Sequence, residues 1–346
     1  RGPGVRQLQF IEKGKLEWRE APDPRLQGDG EAIIRPVALA TCDLDAAFVR
    51  GVAPVANPFP FGHECVGEVT EVGDSVKSVK PGDLVSVPFQ VSCGSCAACL
   101  EGRSGNCESV PRLSMYGLPV GPQSYGGFAS DAVNVPYADA MLVPIPEGVA
   151  PAAVASLSDN IPDAWRTVAG PLESAPGSPV LIAMGAGSIA LYSIAIALAL
   201  GAERVDVVGG RERDRQLADQ LGANVLDEEF PDRIGFYPVT VDASADPAGI
   251  ACALRSTDAD GICTSIGIYF QPTPLPLLDM FTQGITFVTG RPHVRPLMPD
   301  VLELVRQGRF DPDPMTVSRV TWDDAAEALS DLRAKTVVER RSEGAA

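Results

Sequence analysis

The chain reads as an all-β region followed by an α/β region built on a doubly wound parallel sheet, and three observations predict this. Over residues 5–150, short runs rich in β-branched residues are broken by proline and glycine, as at Pro81-Gly82-Asp83. From Ala152 onward, short apolar strands alternate with helix-period segments, the pattern of parallel β-α-β units. The third observation is length: 346 residues exceed one ordinary core, so two domains are expected.

Taken in order, residues 31–37, 65–72, 84–89 and 127–135 read as strands of a barrel or sandwich, with the cysteine-rich stretch 93–107 as an excursion from it. Residues 179–184 form an apolar strand, 188–200 a helix closed by Gly201, and 204–208 a second strand, together one β-α-β unit. A helix at 216–221 and strands at 240–243, 261–267 and 285–289 continue the alternation. Helices near 299–307 and 323–333 and a strand at 336–339 close the chain, while residues 1–4 and 342–346 read as frayed ends.

Charge and hydropathy narrow the function classes. A formal net charge of −17 repels phosphate, which argues against nucleic acid or an acidic membrane as partner. The longest apolar run, 189–200, is interrupted by Ser193 and is too short for a membrane span. No charged-then-apolar leader precedes the first strand, so a cytoplasmic location is expected.

Cys93, Cys96, Cys99 and Cys107 follow one another at intervals of three, three and eight. That spacing brings four thiolates to one tetrahedral ion, so it predicts a closed structural zinc site stapling a lobe with little core of its own. Two disulfides are the competing reading, but Cys-x2-Cys-x2-Cys is too tight for two unstrained bridges.

Three further residues carry potential chemistry: Cys42 in TCDLDAAFVRG, His63 in FPFGHECVGEV and Asp159 in SLSDNIPDAW. Taken singly, the cysteine is a small buried side chain and the aspartate a helix cap. Taken in order, a Cys, a Gly-His-Glu 21 residues later, a four-cysteine lobe and then an Asp ahead of a nucleotide-binding region form a set. In this the chain resembles the zinc-dependent medium-chain alcohol dehydrogenases over nearly its full length. The resemblance implies a GroES-like catalytic domain at 1–159, a Rossmann domain at 160–292 and a return segment, 293–346, completing the catalytic domain. It also implies that Cys42, His63 and Asp159 ligate a catalytic zinc with one position open, and that Glu64 lies nearby as a transient ligand. A homo-dimer or homo-tetramer is expected, with substrate in the cleft where zinc meets the nicotinamide.

The run Gly185-Ala186-Gly187-Ser188-Ile189-Ala190 links the strand 179–184 to the helix that follows, so it reads as a dinucleotide fingerprint with Ala190 in place of the third glycine. Gly185 permits the tight turn, and Gly187 lets backbone approach a pyrophosphate at the helix start, where Ser188 and Ile189 stand. After the second strand the chain reads Gly209-Gly210-Arg211, with Gly209 where NAD-binding folds carry an acid. Without that carboxylate, and with Arg211 able to grip a 2′-phosphate, NADP(H) is favoured over NAD(H), and Gly209→Asp is expected to reverse the choice. The competing reading has Arg211, Arg213 and Arg215 alternating with Glu212 and Asp214 on a solvated face.

Departures from the family pattern matter as well. Leu44 stands where a Ser or Thr often begins a proton relay, Ala47 where its histidine follows, and Asp163 where a Thr often touches the nicotinamide. Asp45 matches the family and reads as structural, Asp163 as a helix cap, and His293 as an exposed loop residue. The expected activity is zinc-dependent hydride transfer between NADP(H) and a small-molecule alcohol, aldehyde or ketone, with one catalytic and one structural zinc. Loss of the relay keeps two alternatives open: 1,4-reduction of an unsaturated aldehyde or ketone, and a catalytically silent NADP-binding protein with a structural or regulatory role.

Overall fold

The computed structural model describes residues 4–122, 124–185 and 187–340. Residues 1–3 and 342–346, expected to be frayed, and Ala186 of the glycine-rich turn lie outside the described residues. The chain forms two compact units, one of Arg1–Pro162, His293–Arg306 and Pro312–Ala346, the other of Asp163–Pro292 and Gln307–Asp311.

The first unit opens with β1 (Val5–Glu12), β2 (Lys15–Ala21), β3 (Ala32–Ala40), helix α1 (Asp43–Val49), β4 (Phe59–Pro60), β5 (Glu64–Val72) and β6 (Leu84–Val87). A one-turn helix α2 (Ala97–Leu100) follows in the cysteine lobe, then β7 (Val133–Val135), α3 (Ala138–Met141) and β8 (Val143–Pro144). Strands β2, β1 and β4 form a small antiparallel sheet in that order. The strand expected at 127–135 is regular only over its last residues. Its first half lies directly on the 61–62 backbone: a Cβ on Gly127 would come within 2.2 Å of the Phe61 carbonyl oxygen. There Phe128 and Ala129 donate to the carbonyls of Gly62 and Phe61, so the chain follows the residue before His63 instead of a ladder.

In the second unit, α4 (Asn160–Ser174), whose first turn carries the division between units, leads to β9 (Val180–Met184), α5 (Ser188–Ala199), β10 (Val205–Gly209), α6 (Glu212–Gln220) and β11 (Asn224–Val225). The chain continues through β12 (Tyr237–Ala243), α7 (Pro247–Arg255), β13 (Thr257–Ser265), α8 (Leu277–Gln283) and β14 (Thr286–Thr289). The six strands pair in parallel in the order β11-β10-β9-β12-β13-β14. Winding one way from β9 and the other way from β12 makes a doubly wound sheet whose switch point lies between those two strands. Every residue of β9 and β10 is buried; β9 reads as an unbroken apolar run for that reason, while β10 carries Asp206, which accepts from the Tyr237 hydroxyl at 2.7 Å. Helix α7, which falls between two expected strands and is not itself among the expected elements, starts with Asp246 accepting from the Ala248 N–H at 2.7 Å and with Pro247 as its first residue.

The return segment supplies α9 (Val294–Arg306), β15 (Ser318–Thr321), α10 (Ala325–Ser330) and β16 (Thr336–Glu339) to the first unit. Residues 307–311 cluster instead with the second unit, where Arg309 donates to the Ala199 carbonyl and Phe310 meets Tyr192 edge-on. Strand β16 lies between β15 and β3 in a sheet ordered β15-β16-β3-β5-β6-β8, with β7 also on β3. Its register, Val338 opposite Leu39, brings the preceding residue, Lys335, beside Thr41. One core holds β-strand residues such as Leu8, Leu39 and Val69 together with Trp322 and Leu329 from the return segment. Among the described residues no helix is long and apolar enough to cross a membrane.

Candidate active site

Cys42 follows β3 and stands at the N-cap of α1; its own N–H donates to Asp45 Oδ2 at 2.9 Å. His63 directly precedes β5, and Asp159 follows a 3-10 turn over Ala155–Ser158 and precedes α4. These three chain segments bring the Cys42 sulfur, a His63 ring nitrogen and an Asp159 oxygen within 4.8 Å of one another. His63 Nε2 is 3.4 Å from Asp159 Oδ2, while Nδ1 on the opposite side of the ring is 3.4 Å from Asp45 Oδ1. His63 is 1% exposed and Asp45 0%, and the Phe89 ring lies edge-on against the imidazole.

The electrostatics suit a cation among these groups. Burial pushes the Cys42 thiol up to about 11, against the pull of His63. Burial alone would also lower the His63 imidazole, but the carboxylates of Asp45 and Asp159 outweigh it and hold it well above its ordinary value. A divalent metal would supply the missing charge, since a coordinating thiol is deprotonated outright. Sulfur, imidazole and carboxylate on one side form a set zinc accepts, and Asp45 behind Nδ1 orients the ring so that Nε2 faces it.

Glu64, the first residue of β5, is adjacent to the three converging donors but not one of them. Its Oε2 accepts from Ser156 Oγ at 2.8 Å and Lys335 Nζ at 3.1 Å, and its Oε1 from the Asn160 N–H at 2.8 Å. Burial raises the Glu64 carboxyl and Lys335 opposes the shift. Lys335, also buried, donates to Thr41 O and Asn160 Oδ1 at 2.9 Å each. Asn160 in turn reaches Cys42 Sγ at 3.2 Å and Asp159 Oδ2 at 3.1 Å. Sequence reasoning singled out neither Asn160 nor Lys335.

The four thiols of the lobe converge within 4.8 Å, all in the free form. Donors surround them: Ser109 Oγ and the N–H groups of Ser95 and Cys96 point at Cys93 Sγ, the Glu108 N–H at Cys96 Sγ, and the Cys93 N–H at Cys107 Sγ. Burial would raise the Cys93 thiol, but these donors bring it down to about 5, while Cys99 is pushed up to about 12 by burial. Hydrogen-bond donors aimed at sulfur stabilise thiolate, the form a metal needs. His293, expected as an exposed loop residue, is half-buried instead, and its Nδ1 accepts from the Gly105 N–H of this lobe at 3.1 Å.

In the second unit, Gly185, Gly187, Ser188 and Ile189 form the turn from β9 into α5, and Gly209, Gly210 and Arg211 the turn from β10 into α6. The register Gly209 opposite Met184 sets the two turns side by side at the carboxyl ends of the strands, where doubly wound sheets bind ligands. Gly185 is needed for close approach: a Cβ there would meet Ser244 O at 2.4 Å. Gly209 has φ +77° and a Cβ would lie 2.5 Å from the Phe230 ring, so Gly209→Asp would be strained and does not test cofactor choice cleanly. Of the three arginines, Arg213 pairs with Asp214, and Arg215 donates to Gly209 O and Leu226 O. The side chain of Arg211, exposed at the N-cap of α6, makes no hydrogen bond or ion pair among the described residues. Asp163 is held by an ion pair with Arg166 in the first turns of α4.

A mixed sheet carrying a Cys-His-Asp cluster and a four-thiol lobe, joined to a doubly wound parallel sheet, defines a metal-dependent dehydrogenase. Comparison with known proteins agrees. Residues 28–147 match the alcohol dehydrogenase GroES-like domain. A medium chain reductase/dehydrogenase of an Acremonium species is 32% identical over 274 residues, covering 75% of this chain and 91% of the relative. A protein of Mycobacterium tuberculosis described as a probable zinc-binding alcohol dehydrogenase is 29% identical over 336 residues, covering 95% and 85%. The solved alcohol dehydrogenase of Thermus sp. ATN1 superposes with a TM-score of 0.84 at 25% identity, over 97% of this chain and all of that one. The chain belongs to the zinc-type medium-chain dehydrogenase/reductase family and is an oxidoreductase.

Proposed function

We propose that the protein transfers hydride between NADP(H) and a small alcohol or its carbonyl partner, using a zinc ion held by Cys42, His63 and Asp159. The observation that carries this reading is the convergence of those three donors, backed by Asp45. When bound, zinc supplies Lewis-acid polarisation of a substrate oxygen and the nicotinamide supplies or accepts the hydride. The chain's own part is to hold the imidazole, the sulfur and the carboxylate in fixed positions and to keep that cluster buried, ready to give up protons as a metal binds. A second zinc on Cys93, Cys96, Cys99 and Cys107 staples the lobe. The absent carboxylate at Gly209 and the unengaged Arg211 support NADP(H).

Leu44 and Ala47 are packed against the core and offer no group to move a proton, which supports testing 1,4-reduction beside carbonyl reduction. The product formed from one unsaturated aldehyde, allylic alcohol or saturated aldehyde, separates the two. His63→Ala tests the whole reading. It should abolish turnover while leaving the lobe zinc and NADPH binding in place, and wild-type turnover in that variant would defeat the zinc mechanism. The exposed apolar residues of α8 and β14 support self-association of the chain.

A further inference from the structure

The buried amide of Asn160 has an assignable orientation and an unusual set of neighbours. Lys335 Nζ can only donate, so the Asn160 oxygen must face it, at 2.9 Å. The NH2 group then faces the other way, with Cys42 Sγ at 3.2 Å and Asp159 Oδ2 at 3.1 Å. Its backbone N–H is spent on Glu64 Oε1 at 2.8 Å, and the residue is 0% exposed. One side chain thus touches two of the three converging donors, and its main chain holds the acid beside them.

We propose that Asn160 is a positioning residue for the catalytic metal centre: its amide clamps Cys42 to Asp159, draws charge from both anionic donors, and ties them to the Lys335–Glu64 pair. The inference rests on the metal-binding reading given above. Two donated hydrogen bonds fix the sulfur-to-oxygen separation before any ion binds. A hydrogen bond to a metal thiolate also makes that sulfur a weaker electron donor, leaving more of the ion's charge for substrate oxygen. An apolar side chain in its place would leave buried Lys335 short of one acceptor and the thiolate without this donor.

Two substitutions separate these roles. Asn160→Leu has nearly the same shape and removes every side-chain hydrogen bond. Asn160→Asp keeps an acceptor for Lys335 but loses the donors to sulfur and carboxylate. Each is compared with wild type by transfer of zinc to a chromophoric chelator and, with cobalt in the histidine-containing site, by the thiolate-to-cobalt charge-transfer band. Both variants should keep the four-cysteine zinc, release the other zinc about 10- to 100-fold more readily, and shift the band to lower energy. Wild-type release and band position in both variants would overturn the proposal. So would an Asn160→Asp variant matching wild type while Asn160→Leu does not, since the role would then be to satisfy Lys335. If neither variant folds, the unaltered chain still decides: with cadmium in the site, the Asn160 amide protons should couple to the metal through sulfur, and absence of that coupling rejects the clamp. A wild-type chain with one zinc and no thiolate-to-cobalt band would instead defeat the metal-centre reading itself.

Discussion

Arg211 shows how one unengaged side chain can set a preference. Its neighbours Arg213 and Arg215 are engaged by Asp214 and by the carbonyls of Gly209 and Leu226, which sets Arg211 apart from them. Of these three arginines, Arg211 has the side chain left to meet a 2′-phosphate beside the Gly209-Gly210 turn under the NADP(H) reading proposed above. A charge-assisted pair of this kind is worth about 1.5–3 kcal/mol, or roughly 10- to 150-fold in affinity. Arg211→Ala should therefore erase most of the excess affinity for NADPH over NADH, while Arg213→Ala should leave the ratio near wild type. Titration of both cofactors against the three proteins checks this, and an unmoved ratio in Arg211→Ala removes the case for NADP(H). At this scale the site was legible where order in the chain carries information: Cys42, Gly62-His63-Glu64 and Asp159 stand in a recognisable succession. Asn160 and Lys335 were not, because an Asn at a helix start and a Lys before a strand have ordinary uses. Their meeting depends on the register of β16 against β3, which no local pattern announces.

The elements divide in the same way. Strands β9 and β10 and helix α5 were readable because burial on both faces and a glycine turn leave few other interpretations. The stretch 127–135 misled because its alternation is that of a strand, whereas contact with the 61–62 backbone replaces half the ladder. The cysteine lobe is the extreme case, with one four-residue helix, one short 3-10 turn and no strand between residues 93 and 107. No sheet holds it: besides the sulfur cluster it has the Gly105–His293 hydrogen bond and buried Ala98 and Ser104, while Leu100 on its helix is 75% exposed. Cys99→Ser should leave three thiolates, cut the metal content of the lobe and lower the thermal midpoint by several degrees, since a structural metal contributes folding free energy directly. Full zinc content with an unchanged midpoint would show that the lobe stands without its staple. Removing His63 touches none of these four donors, so the two proposed zinc sites should empty independently.

At the scale of the whole molecule, surface and charge pull in opposite directions. Leu277, Leu278 and Phe281 on α8 are 67%, 75% and 83% exposed, and Val288 on β14 is 40% exposed. Strand β14 ends the six-stranded sheet, so among the described residues no strand of that sheet pairs with its outer edge. An apolar patch beside an open sheet edge can pair with itself across a two-fold axis, which is where the self-association proposed above is to be tested. Against that stands a net charge of −17 on each copy. At low salt the repulsion between copies is long-ranged, and at about 0.1 M the screening length falls to roughly 10 Å. A dimer formed on this surface should therefore tighten as ionic strength rises, opposite to an interface held by ion pairs. Leu278→Asp combined with Phe281→Asp should convert it to monomer without loss of either zinc, because both side chains lie outside the metal-binding unit. Light scattering across a salt series reads both effects. A wild-type chain that is monomeric at micromolar concentration, or one whose association weakens with salt, would rule out this surface as the dimer contact.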